Sequence, residues 1–198
     1  TMKSIRLSWR LLLRDLRAGE LHILGFALVI AVASLTSVGF FADRLSQALT
    51  REANQLLGGD LLLTADHAWD ARYAERARAL GLQVITTTSF TSMASTGDVA
   101  QLAGIKAVEP GYPLRGQVRV APGLNQPDAV ASGIPAPGEA WLDERLSSAL
   151  QVKAGDFVGL GEMRLRVAGV ITYESDRGAN FFSIVPRLML NAADLPAT

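Results

Sequence analysis

Residues 21–42 read LHILGFALVIAVASLTSVGFFA, with no Asp, Glu, Lys or Arg among them. As an α-helix, this stretch covers roughly 33 Å at about 1.5 Å per residue, enough to cross a hydrocarbon layer of about 30 Å. Helix is the form lipid demands, because each backbone N–H must find its acceptor within the segment. Two readings compete with a membrane anchor. Ala31-Val32-Ala33 makes an A-x-A site of the kind cut by signal peptidase. A buried globular helix is the other. The apolar run continues nine residues past the A-x-A site, and about twenty residues precede the apolar segment. Both features favour the anchor.

The flank before the span is basic. Residues 1–20 hold Lys3, Arg6, Arg10, Arg14 and Arg17 against Asp15 and Glu20, a net +3. Positive charge beside a span stays in the cytoplasm, so residues 43–198 are expected on the far side. The basic residues recur at spacings of 3, 4, 4 and 3, one face of a helix, while Ile5, Leu12, Leu13 and Leu16 lie mainly opposite. This pattern predicts an interfacial helix over 1–20, with Lys3, Arg6, Arg10, Arg14 and Arg17 at lipid phosphates and Trp9 at headgroup level. Ordinary topology charges would give the same count without the stripe.

Beyond Ala42 the helical spacing persists through Leu45, Leu49, Ala53, Leu56 and Leu57, and Gly58-Gly59 is a strong stop. Helix over 21–57 is a rod of roughly 55 Å, with 43–59 as a stalk outside the bilayer. Residues 60–198 then read as a folded α+β body. Asp60–Ala65 (DLLLTA) and Leu82–Phe90 (LQVITTTSF) are expected as strands around a surface helix over 70–80, a βαβ unit. Met93 and Val99–Val108 suggest strands across a turn at Gly97-Asp98. Residues 111–140 are crowded with Pro and Gly and form a β-rich insert in which Gln117–Val120 is the clear strand. A short helix over 143–150 follows. Phe157–Leu160 and Met163–Ile171 pair as a hairpin through Gly161-Glu162. Ser183–Val185 reads as a further strand, with a helix or turn at Pro186 and Leu188–Leu190 after it.

Composition removes several function classes. Lys+Arg and Asp+Glu balance at 19 each, so no bulk positive charge points to nucleic acid. With no Cys and only His22 and His67, disulfide frameworks, thiolate zinc and histidine-rich metal sites are excluded. No Walker A loop and no nucleophile elbow occur. Gly159-Leu160-Gly161 lacks the rest of a dinucleotide fingerprint. Asp66-His67 could be half of a triad with a serine supplied from elsewhere, but a lone surface His after a strand is far more often just polar. Asp143-Glu144 suits a helix N-terminus better than a cation, and Glu174 with Asp176 lacks a third ligand. No catalytic, cofactor or metal site is assigned.

The longer motifs are more telling. LLGGDLLL (56–63), SFTSMASTGDVAQLAGIKAVEPGYPLRG (89–116), GEAWLDERL (138–146), KAGDFVGLG (153–161) and VAGVITYESDRGANFFSIVPRLMLNAADL (167–195) together resemble the permease subunits of MacB- and FtsX-like ABC transporters, the large YbbP type in particular. The likeness spans essentially all of the chain. It implies a MacB-like periplasmic domain, residence in the bacterial inner membrane, and a separate cytoplasmic ATPase subunit as partner. It also implies a lever-like mode of action on lipid or other hydrophobic substrates, with membrane lipid and a periplasmic carrier or enzyme as further partners and no cofactor. Full members carry more membrane helices, so an N-terminal piece of such a permease is expected here. The alternative is a single-span envelope adaptor or binding protein without transport activity.

Overall fold

A computed structural model describes residues 20–178 and 184–198. The basic stripe from Lys3 to Arg17, with Trp9, lies outside the described residues, as does Ser183. The chain divides into two compact units at Arg51/Glu52.

One helix, α1, runs without interruption over Glu20–Leu57. Its large apolar side chains, Phe26, Leu28, Val29, Ile30, Leu35 and Phe41 among them, are exposed. It is long and apolar enough to cross a membrane. Thr36 donates its hydroxyl to the carbonyl of Val32 and Thr50 does the same to Ser46, so these hydroxyls are satisfied within the helix.

In the second unit, α2 spans Ala71–Ala79. Asp70 caps it by accepting from the Arg72 N–H, and Gly81 lies just beyond its end. Eight strands follow: β1 Thr87–Thr96, β2 Val99–Val108, β3 Val118–Ala121, β4 Ala129–Val130, β5 Glu139–Asp143, β6 Phe157–Leu160, β7 Met163–Glu174 and β8 Arg187–Asn191. Helix α3, Glu144–Leu150, follows β5 directly. A 3₁₀ turn over Ala192–Ala197 comes after β8.

The strands lie in the order β4-β3-β7-β5-β8-β2-β1-β6, and β6 also pairs with β7. Six of them, β7, β5, β8, β2, β1 and β6, therefore close into a barrel, with β3 and β4 extending from the C-terminal half of β7. The β2–β8 and β5–β7 pairs are parallel, and the other barrel pairs are antiparallel. β7 can serve two partners along one edge because it is long: Met163–Arg166 face β6, and Val170–Glu174 face β3.

Strand alternation sorts the core into two clusters. Leu188 and Leu190 of β8, Ile105 and Ala107 of β2, and Leu165 and Val167 of β7 point to one face, with Leu146 and Leu150 of α3. Their neighbours Met189 and Val108 point to the other face with Tyr112 and Val118, and Ile171 joins them because the β5–β7 register shifts by one residue of β7 beyond Val167. Each fully buried leucine contributes about 1.5–3 kcal/mol through loss of apolar area from water.

Several expectations change. Asp60–Ala65 forms no strand; its leucines 61–63 are exposed, and no ladder partner faces it among the described residues. The expected strand over 82–90 begins only at Thr87, so the βαβ unit is not completed. Apolar, β-branched sequence sets an extended preference, but a strand needs a neighbour to bond. β5 starts at the end of the Pro- and Gly-rich insert and continues through Trp141 and Leu142, where no strand is expected. Ile184 and Val185 precede β8 without joining a strand, and the chain after Pro186 is strand rather than helix.

Candidate functional site

The C-terminal end of α1 is built into the second unit. Gly58 lies just past the helix with φ +69°, the left-handed conformation that glycine reaches without penalty, and its N–H returns to the carbonyl of Gln55 at 3.2 Å. The Gly58 carbonyl accepts from the backbone N–H of Arg115 at 3.0 Å. Arg115 also grips Asp60 with two parallel bonds, Nε to Oδ1 at 3.0 Å and Nη2 to Oδ2 at 2.9 Å. Asn54, in the last turn of the helix, donates to the same carboxylate at 3.2 Å. This fork geometry orients both partners. The guanidinium bond holds Asp60 below the usual carboxylate range, and Asp60 in turn holds Arg115 above its ordinary value.

Behind this clasp lies a buried group of charges. Lys106, on the side of β2 opposite the barrel core, donates to Glu174 Oε1 at 2.7 Å, Asp176 Oδ2 at 2.9 Å and the Tyr112 hydroxyl at 2.7 Å. The Tyr112 hydroxyl donates in turn to Asp176, with Glu174 Oε1 at 3.2 Å. Arg187, at the start of β8, places Nε 3.3 Å from Glu174 Oε2, an ion pair without the alignment of a hydrogen bond. The Glu174 side chain is 0% exposed, that of Arg187 3% and that of Lys106 6%. Two cations thus face two carboxylates in a nearly dry pocket. Burial first, and then the charges of Glu174 and Asp176, push the Tyr112 phenol well above its usual pKa.

Clasp and cluster meet at Gly58. A Cβ on that residue would lie 2.7 Å from Asp176 Oδ2. Gly116 is equally confined: a Cβ there would lie 2.1 Å from Ser175 Oγ and 3.2 Å from the carbonyl of Gln55. Ser175 is held in place by Gln117, whose N–H donates to its Oγ at 3.0 Å and whose carbonyl accepts its N–H at 3.1 Å. The end of the helix therefore rests on backbone and carboxylate with no room for a side chain between them.

Other residues weighed from sequence take structural places. Glu174 and Asp176 spend their oxygens on Lys106, Tyr112 and Arg187. Asp143 caps α3 by accepting from the Leu146 N–H at 2.8 Å, and its second oxygen accepts from Arg177 at 2.7 Å. Asp66 and His67 touch at 2.8 Å on the surface. Gly159 and Leu160 end β6, and Gly161 opens the two-residue turn to β7. The described residues hold no cluster of three or more metal-ligating side chains.

The match to known proteins decides the family. Residues 24–197 fit the MacB-like periplasmic core domain. The chain belongs to that family. It is 34% identical over 185 residues to the uncharacterized ABC transporter permease YbbP of Escherichia coli (strain K12). That alignment takes in 93% of this chain and 22% of the relative, so the chain spans about a fifth of that permease. Among solved structures, the extracellular domain of the noncanonic ABC-type transporter YknZ from Gram-positive bacteria matches with a TM-score of 0.43 and 12% identity, over 59% of this chain and 57% of that one. The periplasmic region of MacB from Actinobacillus actinomycetemcomitans matches with a TM-score of 0.42 and 15% identity, over 62% and 56%. The chain is thus a long apolar helix followed by a MacB-like α+β domain, similar over nearly its whole length to part of an ABC transporter permease.

Proposed function

We propose that this chain is the lever arm and head of an inner-membrane ABC transporter permease. In this reading residues 1–20 lie at the cytoplasmic surface, with Lys3, Arg6, Trp9, Arg10, Arg14 and Arg17 at the lipid headgroups. Residues 21–42 cross the bilayer, 43–59 continue as a stalk, and 60–198 form the periplasmic head. A separate cytoplasmic ATPase drives the helix, and the head acts on lipid or another hydrophobic substrate, passing it to a periplasmic carrier or enzyme.

One observation supports this reading above the others: α1 is continuous over 38 residues and its end is bonded into the domain at Gly58, Asp60 and Arg115. At about 1.5 Å per residue it reaches roughly 57 Å, well beyond a hydrocarbon layer of about 30 Å. A helix delivers displacement at its far end, whereas a Gly/Ser linker absorbs it.

Two experiments test the reading. Gly-Gly in place of Leu49-Thr50, in the full-length permease with its ATPase, introduces a hinge at a cost of about 2 kcal/mol in helix propensity. Membrane insertion should survive and ATP-driven transport should fall to background; transport at the parental rate overturns the lever. The chain has no cysteine, so single-site labelling gives its orientation cleanly. A membrane-impermeant maleimide, applied after the outer membrane is opened, should label Ser132→Cys and spare Ser4→Cys. The reverse pattern places the head in the cytoplasm and ends the proposal.

A further inference from the structure

The clasp at the helix end and the buried charge cluster share one contact, Gly58 over Asp176. We infer that they form a single two-state joint: the cluster keeps its full pairing only while the helix end is seated, and lifting the helix end opens the cluster.

The reasoning is electrostatic. Lys106 and Arg187 balance Glu174 and Asp176 in charge. Asp176 is the outermost of the four, with 13% of its side chain exposed. The Gly58 backbone covers it at a distance that excludes even a methyl group. Remove that cover and water reaches the carboxylate, competing with Lys106 and Tyr112 for its oxygens. Once Asp176 turns outward, Glu174 alone faces two cations in a pocket that excludes solvent. An uncompensated buried charge is strongly unfavourable, so partly opened arrangements are poorly populated and the joint is either closed or open.

The residues of the cluster are not neighbours in sequence. Lys106 is in β2, Tyr112 in the loop after it, Glu174 at the end of β7 and Arg187 at the start of β8. Release at Gly58 therefore loosens the ends of three barrel strands together. Neither β1 nor β6 contributes a side chain to the cluster, so the response is directed to one part of the barrel.

The joint gives the lever reading a place where motion is received, and its test follows the joint alone. The 198-residue chain, in detergent micelles, is labelled with 3-fluorotyrosine, and Tyr112→Phe assigns the Tyr112 resonance among the three tyrosines. Arg115→Ala removes the exposed clasp without touching the cluster. Amide exchange at residue 115, whose N–H bonds to Gly58, should quicken at least about tenfold. The Tyr112 fluorine resonance should move in the same variant, while exchange at Val167, bonded to Asp156 beside the β6–β7 pairing, stays put. Asp60→Asn, which keeps the side-chain volume, should give a smaller version of both changes. In the opposite direction, Asp176→Asn should quicken exchange at Arg115. Faster exchange at residue 115 with an unmoved Tyr112 resonance overturns the coupling, as does an Asp176→Asn protein whose Arg115 amide exchanges at the parental rate. Either result leaves the transport reading to its own test; conversely, a coupled joint in a permease indifferent to the Gly-Gly hinge would leave the joint intact and remove the lever.

Discussion

Gly58 lies against Asp176 so closely that no side chain fits between them: a Cβ on the glycine would stand 2.7 Å from the carboxylate Oδ2. Two independent restrictions meet at this position, the left-handed backbone at φ +69° and the fixed carboxylate. Gly58→Ala should therefore cost more than the left-handed penalty of about 1–2 kcal/mol alone. Asp176 cannot retreat without stretching its bonds from Lys106 and Tyr112. Urea unfolding of the variant against the parent measures the loss, and a cost under the left-handed penalty would show that the carboxylate yields freely.

Lys106 is the cation on which three acceptors converge. Lys106→Met keeps the apolar stem and removes the ammonium, leaving Glu174 and Asp176 with Arg187 alone. Breaking a buried pair from one side typically costs about 3–5 kcal/mol. Replacing Lys106 and Asp176 together, by Met and Leu, should recover part of that loss, because no charge is then orphaned on either side. A double-mutant cycle on unfolding free energies reads the coupling directly, and strict additivity of the two losses would contradict the network.

Tyr112 makes alkaline stability a local probe. Its phenol is held above the usual value, chiefly by burial and then by Glu174 and Asp176. In the folded protein it keeps its proton, while in the unfolded chain it ionises near pH 10. The unfolded state then binds fewer protons, so stability is fully present below about pH 10 and falls as pH rises further. Tyr112→Phe should flatten this alkaline slope while lowering stability at neutral pH. The parental ultraviolet ionisation curve minus that of the variant isolates Tyr112, and its step should coincide with unfolding.

Asp128 gives the acid counterpart. Both its oxygens accept from Arg119, at 2.9 and 2.8 Å, and Oδ2 also accepts from the Thr172 hydroxyl at 2.6 Å. The Arg119 bonds, and after them that of Thr172, hold the carboxyl well below its ordinary 3.8. The contribution of this clip to stability is present above that value and lost as pH falls through the lower folded one. Arg119→Ala should raise the Asp128 midpoint toward 3.8 in a carbon-13 carboxyl titration and shrink the acid limb of the stability curve. An unmoved midpoint would assign the shift to Thr172 instead.

Local signals carried much of this architecture. An uncharged run of 22 residues, a helical spacing that continues to Leu57 and the Gly58-Gly59 pair describe α1 without reference to anything distant. The turns at Gly97-Asp98 and Gly161-Glu162 likewise place the β1–β2 and β6–β7 hairpins, since each two-residue loop sets its own register. The errors fall where a partner decides the outcome. Leu61–Leu63 look like a strand by composition, yet no strand stands beside them among the described residues. Trp141 and Leu142 sit in a Pro- and Gly-rich neighbourhood, yet β5 pairs on both sides with β7 and β8. The joint was hidden for the same reason. Lys106 reads as an ordinary outward lysine in VAQLAGIKAV, and its partners Glu174 and Asp176 are 68 and 70 positions away. A lysine amid a run of small and apolar residues was the one available hint, and no local rule names the carboxylates that answer it.

The β6–β7 pairing carries a mechanical consequence. With the ring of six strands sealed, no one of them can slip along its neighbours without rupturing bonds on both flanks. A cylinder of this kind resists shear, so a thrust at its rim can part the ends of strands but not shift their register, much as the staves of a barrel gape at the top while the hoop holds. The two-residue ribbon β4, attached along β3 outside the ring, is free of that constraint and can bend while the cylinder keeps its shape.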